Sequence, residues 1–195
     1  MIFSRVLPFL AFALSFSLVS VAKPIAETGV IKRAEGEVGT ADVAAVLTNL
    51  KATTDTTLSQ MNSLIDENRV NSANTVPLMK ELTESFTTAG KSLKALKGKV
   101  NARQLGPTNS EIAALLAGII TALVTTLGRL LVRALLFLPT LMTLVVSLDL
   151  VLRDLLVTVE ALVGGVLVLV TGMLADVGGL VVTLGLGLVA ALLGL

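Results

Sequence analysis

The chain has 195 residues, an apolar fraction of 54%, charged residues at 15% and a net charge of +1. That balance lacks the basic excess of a nucleic-acid binder, and six Phe with no Trp or Tyr provide neither base-stacking platforms nor an interfacial aromatic belt. With no Cys and no His, disulfides, thiolate chemistry and the commonest general base and metal ligand are all excluded. The expectation is a protein that is not an enzyme, with no cofactor, no metal site, no nucleic-acid partner and no small-molecule substrate.

Residues 1–22 read as a secretory signal peptide. Arg5 supplies the positive start, Val6 to about Val19 the apolar core, and Ser20 with Ala22 the small residues before a cut after Ala22. Residues 23–39 read as a flexible, pro-like segment. Within it, Lys32 and Arg33 in "IKRAEG" form a dibasic pair suited to a kexin-type processing protease of the secretory route.

Residues 40–107 carry two helical patterns, expected to pair as an antiparallel, polar hairpin. In the first, Val43, Leu47, Leu50, Thr54, Leu58, Met61 and Ile65 fall at three- and four-residue steps, with Thr40 as the expected cap. In the second, Met79, Leu82, Phe86, Ala89, Leu93, Leu96 and Val100 do the same, with Thr75 as the expected cap and Pro77 in the first turn. Residues 66–75, "DENRVNSANT", are rich in turn formers. Both stripes are narrow, so each helix presents a thin apolar seam and a broad polar face. Lys91, Lys94, Lys97 and Lys99 complement the dipole at the end of the second helix.

Residues 108–195 form a very hydrophobic helical tail, expected to hold three to five helices. Thr108 and Glu111 make a capping-box signature at its start. Beyond Glu111 the only cations are Arg129, Arg133 and Arg153. The charges leave uncharged runs at Ile112–Gly128, Ala134–Leu148, Ala161–Ala175 and Val177–Leu195. Only the last approaches the roughly 20 residues a bilayer span needs, reaching about 28 Å as a helix.

The segment from Thr140 to Val163 poses the sharpest question. Its fifteen Leu, Val and Met residues favour insertion into lipid by roughly 5–9 kcal/mol. Its four charges, Asp149, Arg153, Asp154 and Glu160, oppose it by roughly 10–14 kcal/mol. Pairing of Asp149 with Arg153 at i, i+4 would reduce that cost. Unassisted spanning is disfavoured, and burial in a protein or an assembled layer is the favoured reading.

Near the end, Gly164-Gly165, Thr171-Gly172, Gly178-Gly179 and Gly185-Leu186 place a small doublet every seven residues. On helices this spacing forms a strip that lets backbones approach closely. The fold class expected from these patterns is all-α, a helical hairpin followed by a hydrophobic multi-helix half.

A signal peptide, "IKRAEG", a polar front half, a Leu/Val/Gly-rich back half and no cysteine together resemble the small structural cell-wall proteins of mushroom-forming fungi. The resemblance lies in the layout of polarity along the whole chain. It implies a secreted, surface-active protein of the cell wall or extracellular matrix, acting in aerial hypha formation and hyphal attachment. Self-association and contact with wall or hydrophobic surfaces would follow, and it implies no catalytic residue. The alternatives are an integral membrane protein of the secretory route with two to four tail helices inserted, or a membrane-active secreted effector.

Overall fold

The computed structural model describes residues 39–97, 108–134 and 137–195. Ala22, Lys32 and Arg33, with the signal and processing readings they carry, lie outside the described residues. Of the described residues, 86% are helical and none is in a strand, so the described fold is all-α. The helices are α1 (Thr40–Asp66), α2 (Ser72–Leu96), α3 (Asn109–Arg133), α4 (Leu138–Leu162), α5 (Val166–Met173), α6 (Gly178–Thr183) and α7 (Gly187–Leu193).

The two periodic stripes fold as their spacing dictates. Val43, Leu47, Leu50, Thr54, Leu58, Met61 and Ile65 of α1 are all buried. On α2, Met79, Leu82, Phe86, Ala89 and Leu93 are buried and Leu96 is half-buried, while Val100 lies outside the described residues. The helix starts differ from expectation. Gly39, not Thr40, is the N-cap of α1, and Asp42 reaches back to accept the Gly39 N–H at 2.9 Å. Asn71, not Thr75, caps α2, its Oδ1 accepting from the Asn74 N–H at 3.0 Å. Asn, like Asp and Ser, is among the strongest N-cap residues, so the helix begins at the first strong cap available. Thr75 and Pro77 are thereby drawn inside the helix. Thr108 and Glu111 do form the reciprocal capping box at the start of α3.

Packing joins the polar and apolar halves. The described residues lie in one compact unit, Ala34–Leu195. Within it α3 packs on α1, α1 on α2, and α2 on α4, while α3 and α4 make at most marginal contact. These four helices form an open trough. Helices α5 and α6 lie against α3, and α7 lies against α4, closing the fourth side. One hydrophobic core, from Val43 to Leu193, runs through all seven helices. Fully burying one Leu or Met contributes about 1.5–3 kcal/mol, so this shared core, rather than either half alone, holds the fold.

Polar bonds between the halves fix the register. Arg129 donates to Asn62 Oδ1 and Asp66 Oδ1 of α1, and Lys94 of α2 pairs with Asp154 of α4 at 3.2 Å. Arg133 donates to Asn68 Oδ1 at 3.3 Å. All these ion pairs are exposed, and exposed pairs contribute about 0–1 kcal/mol each. They align helices whose attraction is apolar.

Helix α3 is long and apolar enough to cross a membrane, with a mean hydropathy of 2.0. Half of its most apolar window is buried against the rest of the chain. The long uncharged run Val177–Leu195 does not form one helix. It is divided into α6 and α7 by Gly185, whose φ of +76° falls in the left-handed region.

Candidate functional site

Six of the eight ionisable side chains of the tail have hydrogen-bond or ion-pair partners, Glu111 and Arg133 as described above and Arg129, Asp149, Asp154 and Glu160 as follows. Asp149 is 4% exposed and does not turn to Arg153. Its Oδ2 accepts the Leu188 N–H at 2.9 Å and its Oδ1 the Val189 N–H at 3.0 Å. Those are two of the donors that the first turn of α7 leaves without intrahelical partners. Glu160 does the same for α5, with Oε1 on the Gly165 N–H at 2.7 Å and Oε2 on the Leu167 N–H at 2.9 Å. The i, i+4 spacing of Asp149 and Arg153 suggested a local pair. The paired backbone donors of α7 offer a buried carboxylate two hydrogen bonds, and that arrangement prevails. Asp154 and Arg129, as described above, turn outward to α2 and α1.

Further along the tail, charge almost disappears. From Ala161 to Leu195 the one ionisable side chain is Asp176. The inner sides of α5, α6 and α7 are buried through Val166, Val170, Val181, Val189 and Leu193. Their outer sides are also apolar: Val168 is 76% exposed, and Leu169, Met173, Leu180, Val182 and Leu188 are exposed with it. On α4, Val146, Leu150 and Val157 lie along one exposed stripe that also carries the exposed Arg153. Isolated exposed apolar residues are ordinary on a soluble protein. Six of them on α5 to α7, a segment with a single ionisable side chain, make this the surface to which function is assigned.

The glycine doublets do not serve as an internal packing strip. A Cβ placed at Gly164, Gly172 or Gly179 would meet nothing within 4 Å, and all three are exposed. Only Gly178, whose Cβ would lie 3.2 Å from Leu195, and Gly185, 3.4 Å from Met142, sit against other side chains. The heptad spacing assumed one long helix, whereas three short helices turn most of the doublets outward.

A groove of about 440 Å³ runs between α1 and α3, lined by Asp55, Ser59, Asn62, Thr125, Thr126 and Arg129. Its principal polar groups already bond one another: Asn62 donates to Thr126 Oγ1 at 3.2 Å, and Arg129 donates to Asn62. This is a helix seam whose donors are in use. Among the described residues, no three His, Cys, Asp or Glu side chains gather as metal ligands would.

Sequence reasoning found the apolar tail and its unusual charges. It missed the bonds from Asp149 and Glu160 to helix starts, because Asp149's depend on where the chain folds back and Glu160's on the local turn at Gly164-Gly165.

No family model matches the chain. A curated relative, fruiting body differentiation protein 16 of Flammulina velutipes, is 36% identical over 118 residues, which span 56% of this chain and 88% of that protein. The relative comes from a mushroom-forming fungus. At that identity and coverage, this cysteine-free helical chain belongs to the family of fruiting body differentiation protein 16.

Proposed function

We propose that the protein is a secreted, non-enzymatic structural amphiphile of the fungal cell wall or extracellular matrix, acting during fruiting-body development. The printed name of the relative supports the developmental part. The observation that carries the surface-active part is the outer face of α5–α7, apolar across three helices with Asp176 its one ionisable side chain. In water that face is a liability. Against an air–water boundary, a hydrophobic wall component or another copy, its burial gains about 25 cal/mol per Å². The polar faces of α1 and α2 keep the chain soluble in transit, and the signal peptide delivers it outside.

The test is the surface tension of the purified secreted form at micromolar concentration. A fall in tension is expected. A monomer that leaves the tension of water unchanged would reject this reading.

A second reading, insertion into a membrane of the secretory route, is favoured by α3, whose length and hydropathy suit a span. Against it stand the carboxylates of Asp149 and Glu160, whose hydrogen bonds would have to break or enter lipid with the helices. Alkaline carbonate extraction distinguishes the two: release of the protein from host membranes excludes spanning, and retention in them supports it.

A further inference from the structure

We propose that residues 164–195 form a hinged cover that lifts from the α1–α4 trough as a unit, offering both of its apolar sides and the uncovered flanks of α3 and α4 to an uncharged apolar phase. The choice of partner rests on the surface-active reading above; the cover itself does not.

Topology makes the cover separable. The packing pairs α3 on α1, α1 on α2 and α2 on α4 involve none of its residues. Its own contacts are with α3 and α4, so lifting it leaves the trough's internal packing in place. Its three helices have eight, six and seven residues. Such lengths are too short to persist in water without packing. The cover therefore opens as one cooperative local unfolding of the low-stability kind, and its helices regain packing partners only against the apolar phase, where both sides are covered.

The hinge is Gly164-Gly165. Both residues are exposed, and Gly165 has a φ of +85° that only glycine adopts at little cost. Besides its buried apolar side, the cover is held by few polar bonds. Glu160 holds the start of α5, Asp149 holds the start of α7, and Asn109 Nδ2 donates to the Gly164 carbonyl at 2.9 Å. Two of the three lie beside the hinge. At the far end, Asp149 supplies the polar bonds to the trough among the described residues.

The glycines supply an independent observation. Gly172 lies in the last turn of α5 and Gly179 in the first turn of α6, and at each a Cβ would meet open space. The closed fold would accept alanine at both. Glycine instead weakens these helices relative to alanine, by raising the entropy of the open chain. Both positions thus carry a residue that the closed state does not require and that the open state favours.

The cover's two-sidedness identifies its partner. Closed, it buries the Val166, Val170, Val181 and Leu193 side and leaves Val168, Leu169, Leu180 and Val182 wet. With one ionisable side chain and no aromatic residue from Ala161 onward, it has almost nothing with which to recognise a charged or directional partner. An uncharged apolar phase covers both sides at once, which the closed fold cannot.

Hydrogen exchange read by mass spectrometry on the full secreted chain tests the cover. Amides of residues 166–195 should exchange together and faster than those of α1 to α4. Asp149→Asn should speed exchange at α6 and α7 by about tenfold or more, through loss of a charge-assisted bond. Gly172→Ala and Gly179→Ala should each slow exchange of the cover by about two- to fivefold. Exchange of 166–195 only at the global unfolding rate, or no slowing in the alanine variants, overturns the cover.

Adsorption to polytetrafluoroethylene beads tests the partner. Asp149→Asn should adsorb faster than the natural sequence and the double alanine variant slower. Adsorption rates equal across all three reject the apolar phase as the trigger for opening, even where exchange supports the cover. A protein that adsorbs to no apolar surface rejects the surface-active reading itself, while the exchange result still decides the cover.

Discussion

At the scale of single residues, the structure turns on where polar atoms find partners inside an apolar half. Asp149 is the clearest instance. Truncating it removes two charge-assisted bonds and strands two backbone donors at the buried start of α7. Asp149→Ala should therefore lower stability by about 2–4 kcal/mol in urea or thermal unfolding. Asp149→Asn keeps one acceptor and should lose about half as much. The buried threonines predict the opposite sign. Thr54 and Thr75 are buried, and neither Oγ1 has a hydrogen-bond partner. A stranded hydroxyl costs about 1–3 kcal/mol, so Thr54→Val and Thr75→Val should each raise the unfolding midpoint, by roughly 1 kcal/mol in stability. Asn71→Ala, at the cap that displaced Thr75, should lower it by about 1 kcal/mol. A Thr75→Val variant less stable than the natural sequence would restore Thr75 to a polar role.

At the scale of elements, legibility followed the range of the forces involved. The stripes of α1 and α2 could be read because a 3.6-residue period is local, and each side chain from Val43 to Ile65 in that stripe is buried as its position implies. The Thr108 capping box was legible for the same reason. The start of α2 was not, because Asn71 and Thr75 are both acceptable caps and only the turn at 67–71 decides between them. The roles of Asp149 and Glu160 divide along the same line. Both stood out as charges in an apolar run, but Asp149 meets its partner 39 residues along the chain, a distance no periodicity carries. The glycine doublets misled in an instructive way. A seven-residue repeat implies a shared face only on one continuous helix, and the turns at Gly165 and Gly185 break that continuity.

At the scale of the whole molecule, the two halves solve one problem together. The second half combines a large apolar surface with eight ionisable side chains. The first half supplies two narrow apolar seams that α3 and α4 cover, and its outer faces remain polar. The seams are thereby covered without the hydrophobic half being divided or diluted, and α5–α7 are left with apolar residues on both sides. The account's central claim is that the polar hairpin α1–α2 and the apolar helices α3 and α4 share one core in water. The most direct measurement is equilibrium urea unfolding of the purified protein without detergent, followed by far-ultraviolet circular dichroism and checked for mass by sedimentation. The account predicts a monomer whose α1–α4 helices unfold in one cooperative transition, α2 melting together with α4. Helices α1 and α2 melting apart from α3 and α4, or a protein that stays dispersed only in detergent, would contradict it.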